Sequence, residues 1–504
     1  MAILQPKTDV PLSGDSQHDG TEEKVEVIDV EITDPLLEKK SKLVRKLDFH
    51  LVGLVASLEL LSFLDRSNIG NANVAGLSRD LGLDSAQYDW LLTSFYIAYV
   101  LFAFGILGWK IFPPHIWCAF VVFGWGVVAT AQAGTRSWSG MMACRFLMGA
   151  FEHSFGPGII YFFSLFYVRR EVGLRCGLFL AAAPLASCFS GALAYGITSG
   201  HASLASWRVL FLAEGLPPIF MAVVTFFALP DSTQKAWFLS EAEKRLALAR
   251  GIRQSGQAEP IGASAFSFKE LLQTFRDPKA LCLGLINFSL SVSVSSLPVF
   301  LPTILEDMGF SGINAQGLSA PPYALACIVT LVTCWIADKT QQRGLTIMAM
   351  SLVGAIGYIM LVASKSVGVR YAGTFFATAG IFPALANMTS WVINNQGSDT
   401  RRGAGMVILG LVGQCGTLLG TRLYPSSDGP YFIRGSSICA AFLGFAMLLT
   451  LLLRTALSWQ NKKLDEQYGT LEEQDANIAA EEGAEGAAKG GVAENYGPRF
   501  RLVL

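Results

Sequence analysis

Asp65 and Arg66 stand side by side at the end of a long apolar run, in Phe63-Leu-Asp-Arg-Ser-Asn-Ile-Gly-Asn-Ala-Asn73. A charged side chain near the middle of a bilayer costs roughly 2.5–3.5 kcal/mol on insertion scales. An adjacent pair in such a run therefore implies that water, a partner or a ligand meets it there. A second constellation follows in Arg145-Phe-Leu-Met-Gly-Ala-Phe-Glu152-His153. Arg145 and Glu152 are seven residues apart, which on a helix places them on one face about 10 Å apart along the axis. A ligand or a chain of waters fits between them. Two readings are open for these four residues: a functional site in which a carboxylate, Glu152 or Asp65, exchanges a proton, or structural ion pairs between helices. Two such pairs in one half of the chain exceed what packing needs, which favours the first.

Three residues could assist. Glu59 lies seven residues before Arg66 and shares its helix face, so it can hold that arginine when no ligand is bound. His153 follows Glu152 by one position, about 100° round the helix, and reads either as a satisfied core histidine or as a proton relay. Gln414 belongs to the second half of the chain, whose apolar runs carry almost no charge and offer amides instead. Asn287 and Asn387 are the candidate substrate contacts there, while Ser289, Ser293 and Ser296 share one face and serve equally well for lining or for packing. No enzyme chemistry is assembled. None of the five His pairs with another at metal-ligand spacing, and neither a G-x-S-x-G elbow nor a phosphate-binding Gly-Lys-Ser/Thr loop is present. The expectation is no metal and no cofactor, with a proton gradient as the energy source.

The elements that must position these residues follow from composition. The chain has 504 residues, 52% hydrophobic and 15% charged, against roughly 25% charged in soluble domains. Apolar runs of about 20 residues are expected as helices near 46–66, 88–109, 115–134, 139–167, 174–196, 208–230, 279–305, 318–337, 345–363, 370–393, 403–424 and 434–456. The fold class is thus an all-α membrane protein of twelve transmembrane helices in two six-helix bundles, 45–230 and 279–456, the layout of the major facilitator fold. The segment 231–278 between them is expected to be a cytoplasmic loop with a surface helix, because Ser240-Glu-Ala-Glu243 has the form of a capping box. Residues 1–44 and 457–504 are acidic and read as disordered cytoplasmic tails. Lys39, Lys40, Lys42, Arg45 and Lys46 before the first helix place both termini in the cytoplasm by the positive-inside rule. The nine Cys lie almost all within apolar runs and read as small buried residues. The formal net charge of −1 gives no sign of a nucleic-acid partner, and the oligomeric state is left open.

Several of these stretches resemble a known family. Phe63 to Asn71, Arg145 to Glu152, Gly156-Pro-Gly158, Phe166-Tyr-Val-Arg-Arg-Glu171, Leu229-Pro-Asp-Ser232 and Asn394 to Arg402 are similar to motifs of the anion:cation symporter family of the major facilitator superfamily, in its fungal allantoate permease and nicotinic acid permease branch. The resemblance implies a plasma-membrane symporter that takes up a small organic anion with protons. It places protonation on Asp65 and Glu152 and substrate carboxylate binding on Arg66, with Arg145 in support. The chain departs from the family pattern at His153, where many relatives have a small residue, and at Glu59, where they have an apolar or aromatic one. Trp109-Lys-Ile-Phe-Pro-Pro114 replaces the usual Gly-x-x-x-Asp-Arg turn, whose counterpart Asp338-Lys-Thr-Gln-Gln-Arg343 is present in the second half. A proton-antiport exporter is the second reading, disfavoured because Ala183-Pro-Leu-Ala-Ser-Cys188 lacks the glycines usual in such proteins. A non-transporting membrane sensor is the third.

Overall fold

The computed structural model describes residues 34–198, 204–255, 268–310, 312–396, 399–425, 428–474 and 501–504. The acidic stretches 1–33 and 475–500, expected to be disordered, lie outside the described residues. Among the described residues ten helices are long and apolar enough to cross a membrane. Six segments belong to the first half: α1 (Lys40–Val74), α2 (Ser85–Leu101), α3 (Pro114–Gln132), α4 (Trp138–Phe166), α5 (Glu171–Ala194) and α6 (Ser206–Ala228). After a surface helix, α7 (Glu241–Ser255), six more follow: α8 (Pro278–Asp307), α9 (Gly312–Thr340), α10 (Arg343–Ala363), α11 (Val367–Asn394), α12 (Thr400–Gly420) and α13 (Ile433–Tyr468). The span begun by α2 continues through Ala103–Ile111 after a bend of 46°, which makes an eleventh crossing. α4 is 29 residues long and packs against α2 and α3 with its charged residues turned inward.

Local chemistry sets the helix starts. Asp84 accepts from the Gln87 backbone N–H at 2.7 Å while the Gln87 side chain accepts from the Asp84 N–H at 3.1 Å, a closed capping box at the start of α2. Ser240 and Glu243 do the same before α7, with the Ser240 N–H donating to Glu243 Oε2 at 2.8 Å. Asp277 caps α8, whose first residue is Pro278. Pro157 removes a backbone donor inside α4, and beside this break the Trp109 indole donates to the Ser154 carbonyl at 2.7 Å. The aromatic residue that departs from the family pattern thus packs on the proline-containing turn of α4.

The chain after residue 457 differs from the expectation of a disordered tail. α13 continues to Tyr468, and Arg501–Leu504 return to pack on the ends of α10, α11 and α13. Asn395 and Val503 exchange two hydrogen bonds, at 2.8 and 3.1 Å, and Asn461 exchanges two with Leu502, both 2.8 Å. Arg501 pairs with Asp465 at 2.7 Å, and Leu502 and Val503 are buried. Composition alone marks this stretch as solvated; side chains distant in sequence give its backbone partners. Residues 34–44, also expected to be disordered, are helical.

The two halves touch at both ends of the bundle. On the face that carries the described ends of the chain, Asp338 of α9 pairs with Arg343 and accepts from the Leu174 N–H of α5 at 2.5 Å. A Cβ on Gly173 would overlap both of those side chains, so glycine is required for the approach. Lys110 donates to Thr400 at 3.0 Å on the same face. On the opposite face Arg422 stands 3.7 Å from Asp89 and over the ring of Trp90.

Candidate functional site

Between these contacts lies a cavity of about 1110 Å³, counted out to its openings. Its first-half wall includes Glu59, Phe63 and Arg66 from α1 and Tyr96 and Tyr99 from α2, with further residues of α4 and α5. Its second-half wall includes Asn287, Ser291 and Ser295 from α8, Phe382 from α11, and Gln414 and Thr417 from α12. Among the described residues Arg66 is the one basic side chain on the wall. Arg66 Nε and Nη2 donate to the same oxygen of Glu152, Oε2, at 3.2 and 2.9 Å, and Nη2 reaches the Tyr99 hydroxyl at 3.5 Å. The rings of Phe63, Phe95 and Tyr99 surround the guanidinium carbon with centroids at 5.5, 5.5 and 5.1 Å. Such packing fixes the plane of the guanidinium, and a fixed fork suits bidentate carboxylate recognition. Glu152 has a fully buried side chain, and its Oε1 makes no hydrogen bond. Glu59 lines the cavity, but the hydrogen bonds of Arg66 go to Glu152; the expected resting partner is not the one found.

Asp65 does not face this cavity. Adjacent residues on a helix point about 100° apart, and Asp65 turns into the first half, where Trp125 of α3 donates to its Oδ2 at 3.1 Å. Glu214 of α6 and Glu152 and Arg145 of α4 are the charges that act on it there. Arg145 was expected to contact substrate, yet it is absent from the cavity wall: its guanidinium carbon lies 6.0 Å from the Phe211 ring centroid, and its Nε and Nη2 are buried without hydrogen bonds. Asn387, the other expected contact that is off the wall, turns its amide N–H back to the Pro383 carbonyl of its own helix at 2.9 Å. The structure therefore splits the expected four-residue constellation into two layers, Arg66 with Glu152 beside the cavity and Asp65 with Arg145 behind it.

His153 is fully buried, with its ring edge-on to Tyr99 at 4.2 Å between centroids and no hydrogen bond on either nitrogen. It packs against Gly410, in the π-helical turn Leu409–Gly413 of α12. Asn287 donates to the Leu409 carbonyl of that turn at 3.4 Å, and its Oδ1 has no partner. Ser289 and Ser296 bond back to carbonyls of their own helix, at 2.9 and 3.1 Å; the serines of α8 that line the cavity are Ser291 and Ser295. Sequence reasoning missed Tyr96, Tyr99 and Glu214. Only Glu214 carried a signal, as an acid inside the apolar run Val209-Leu-Phe-Leu-Ala-Glu-Gly-Leu216. Among the described residues no cluster of His, Cys, Asp and Glu could hold a metal ion.

Comparison with known proteins supplies the context. The family model described as Major Facilitator Superfamily matches residues 55–421. An uncharacterised transporter of Schizosaccharomyces pombe is 32% identical over 92% of this chain and 90% of its own length. The high-affinity nicotinic acid transporter of Saccharomyces cerevisiae is 30% identical over 83% of this chain and 78% of its own. Among solved structures, the proton:xylose symporter XylE superposes with a TM-score of 0.61 at 14% identity, covering 80% of this chain and 95% of XylE. The human organic anion transporter MFSD10 gives 0.57 at 14% identity, over 81% and 99%. At these identities the superpositions speak for the fold alone.

Proposed function

The chain belongs to the major facilitator superfamily and is a secondary transporter of a small molecule, and we propose that its substrate is a small organic anion taken up together with protons. The observation that carries this reading is Arg66, a lone cation among the described residues of an otherwise neutral or acidic wall, fixed between aromatic rings and hydrogen bonded to a buried carboxylate. An incoming carboxylate competes with Glu152 for the guanidinium. Glu152, displaced from the guanidinium while its side chain is buried, is stabilised by taking up a proton. Binding of the anion and binding of a proton then favour each other, which is the thermodynamic requirement for symport. Asn287 and Gln414 supply neutral hydrogen-bonding groups to the rest of the substrate. The nicotinic acid transporter among the relatives makes nicotinate-like carboxylates the first to try. In this reading the basic residues in the first turns of α1 face the cytoplasm, both termini lie there, and the membrane is the plasma membrane.

The test uses the full chain in proteoliposomes and a panel of radiolabelled monocarboxylates that includes nicotinate. Uptake should rise with an inward proton gradient, collapse with an uncoupler, and lose its gradient dependence in Glu152→Gln. Uptake that ignores the gradient, outward flux alone, or a Glu152→Gln protein with unaltered coupling would overturn the proposal.

A further inference from the structure

Behind the cavity, four helices bring together charged and polar groups whose hydrogen-bonding capacity is left unfilled. Glu214 of α6 is buried, and neither Oε1 nor Oε2 has a hydrogen-bond partner. Arg145 of α4 is equally buried, and its Nε and Nη2 are without partners. Asp65 of α1 receives one hydrogen bond, from Trp125 of α3. None of the three lines the substrate cavity.

We infer that Asp65 and Glu214 form a second proton-holding pair, sharing one proton opposite Arg145 in a layer set apart from the substrate cavity. The inference deepens the proposed symport: its role rests on that reading, though the existence of the shared proton does not.

Charge balance leads to it. Two ionised carboxylates and one guanidinium leave this layer with one surplus negative charge inside the membrane. A surplus buried charge is expensive unless it is paired or neutralised. Removing it takes one proton, and the unfilled oxygens of Glu214 give that proton a place. The charged and titratable groups facing the pair come from every side. Arg145 and Glu152 lie on α4, and Tyr88 and Tyr96 on α2 face Arg145; α3 presents only the neutral Trp125 indole. Arg145 is therefore the sole cation acting on both carboxyls among the described residues, and it can neutralise just one of them. The count holds for the two layers together, since Glu59 and Glu152 face Arg66 beside the cavity and Arg145 also acts on Glu152, so that four acids meet two arginines. Proton-linked events can thus be divided between a site that competes with substrate and one that does not. The shared helices supply the link: Asp65 and Arg66 are neighbours on α1, and Arg145 and Glu152 lie two turns apart on α4.

The experiment is infrared difference spectroscopy of the purified full-length protein in nanodiscs without substrate, reading the protonated-carboxyl C=O band and its shift in deuterium oxide near neutral pH. Glu214→Gln and Asp65→Asn are each expected to remove the intensity of one carboxyl, because the remaining carboxylate pairs with Arg145 in its ionised form. Arg145→Gln is expected to add the intensity of one carboxyl, because both acids must then be neutral. Glu214→Asp should keep the band and serves as the folded conservative variant. If Glu214→Gln leaves the band at its full intensity while Glu214→Asp also keeps it, or if Arg145→Gln adds none, the shared proton does not exist. Gradient-driven uptake in the same proteins separates the two claims. Wild-type uptake blind to the proton gradient, with the infrared changes as expected, overturns symport and leaves the pair standing. Proton-coupled uptake with an unchanged band in Glu214→Gln overturns the pair alone.

Discussion

Substituting alanine for Gly410 should slow transport by crowding the place where the two halves meet. A Cβ at this position would stand 2.5 Å from His153 Nε2, 2.7 Å from its Cε1 and 3.0 Å from the Ala103 side chain. The imidazole has little room to retreat, since it is fully buried with the Tyr99 ring edge-on at 4.2 Å. Forcing a methyl into such a contact costs about 1–3 kcal/mol. The penalty falls on the conformation in which α12 lies against α4 and vanishes where they have separated. If turnover passes through the touching state, its rate falls by about 5- to 150-fold for a penalty of that size. His153→Ala removes two of the three close contacts, so the double variant should recover most of the lost rate. The assay is initial uptake at matched surface expression, with thermal melting as the control for folding. Gly410→Ala protein that transports at the wild-type rate would refute the reasoning. So would a double variant no faster than the single one.

Three further outcomes follow from contacts outside the cavity. The Asp89 and Arg422 side chains are 35% and 38% exposed and 3.7 Å apart, so the pair is worth about 0.2–1 kcal/mol. Asp89→Asn should change uptake less than about 5-fold, and exchanging the two charges should restore it; abolished uptake would show a larger role. Asn395→Ala removes both hydrogen bonds to Val503 and should lower stability by about 1–3 kcal/mol, read as a lower melting temperature that Val503→Asp reproduces. An unchanged melting temperature in both variants would mean that residues 501–504 contribute nothing to the second half. The Glu243 carboxyl is held below its ordinary value of 4.5, first by the hydrogen bond from Lys46 and then by the Ser240 N–H. A depressed folded-state pKa gives a contribution that is complete above the unfolded value and is lost as pH falls through the folded one. Protection of the α7 amides, taken as the exchange rate relative to the intrinsic rate at each pH, should therefore be steady from neutrality down to about pH 4.5 and fall below that. Glu243→Gln should show the lower protection from neutrality downwards and meet the wild type once the Glu243 carboxyl is protonated.

The spans were legible in the sequence because each is a continuous apolar run with an abrupt polar end, and the expected and observed helices overlap throughout. What hydropathy does not report is polarity that is satisfied by folding. α13 continues through Trp459-Gln-Asn-Lys-Lys-Leu-Asp465 although that stretch is polar. Its Asn461 and Asp465 find partners at Leu502 and Arg501, 41 and 36 residues away. The bend after α2 was hidden for the opposite reason, since Phe102-Ala-Phe-Gly-Ile-Leu107 reads as one more apolar turn. Residue types at the site were legible where a charge interrupted an apolar run, as at Asp65, Arg66, Arg145 and Glu152. Their grouping was not. A seven-residue spacing shows that Arg145 and Glu152 share a helix face, but about 10 Å along the axis exceeds the reach of an ion pair. Each residue was then free to join a different neighbour, and those neighbours lie on other helices.

The division into two layers follows from the adjacency of Asp65 and Arg66. Because neighbouring positions on a helix diverge by about 100°, one residue of the pair must turn away when the other faces the cavity. Arg66 faces the cavity and Asp65 turns inward, so a rotation or shift of α1 displaces both layers together. The second half adds no charge to the described cavity wall, only amides, hydroxyls and apolar groups such as the Phe382 ring. Every change in charge that accompanies anion binding must consequently be balanced within the first half, by the acids on α1, α4 and α6. In the proposed cycle that requirement separates the work of the two halves. The first half decides whether an anion and its protons are bound, and the second, through Asn287 and the π-helical turn at Gly410, gives neutral contacts that close on the bound anion without adding charge.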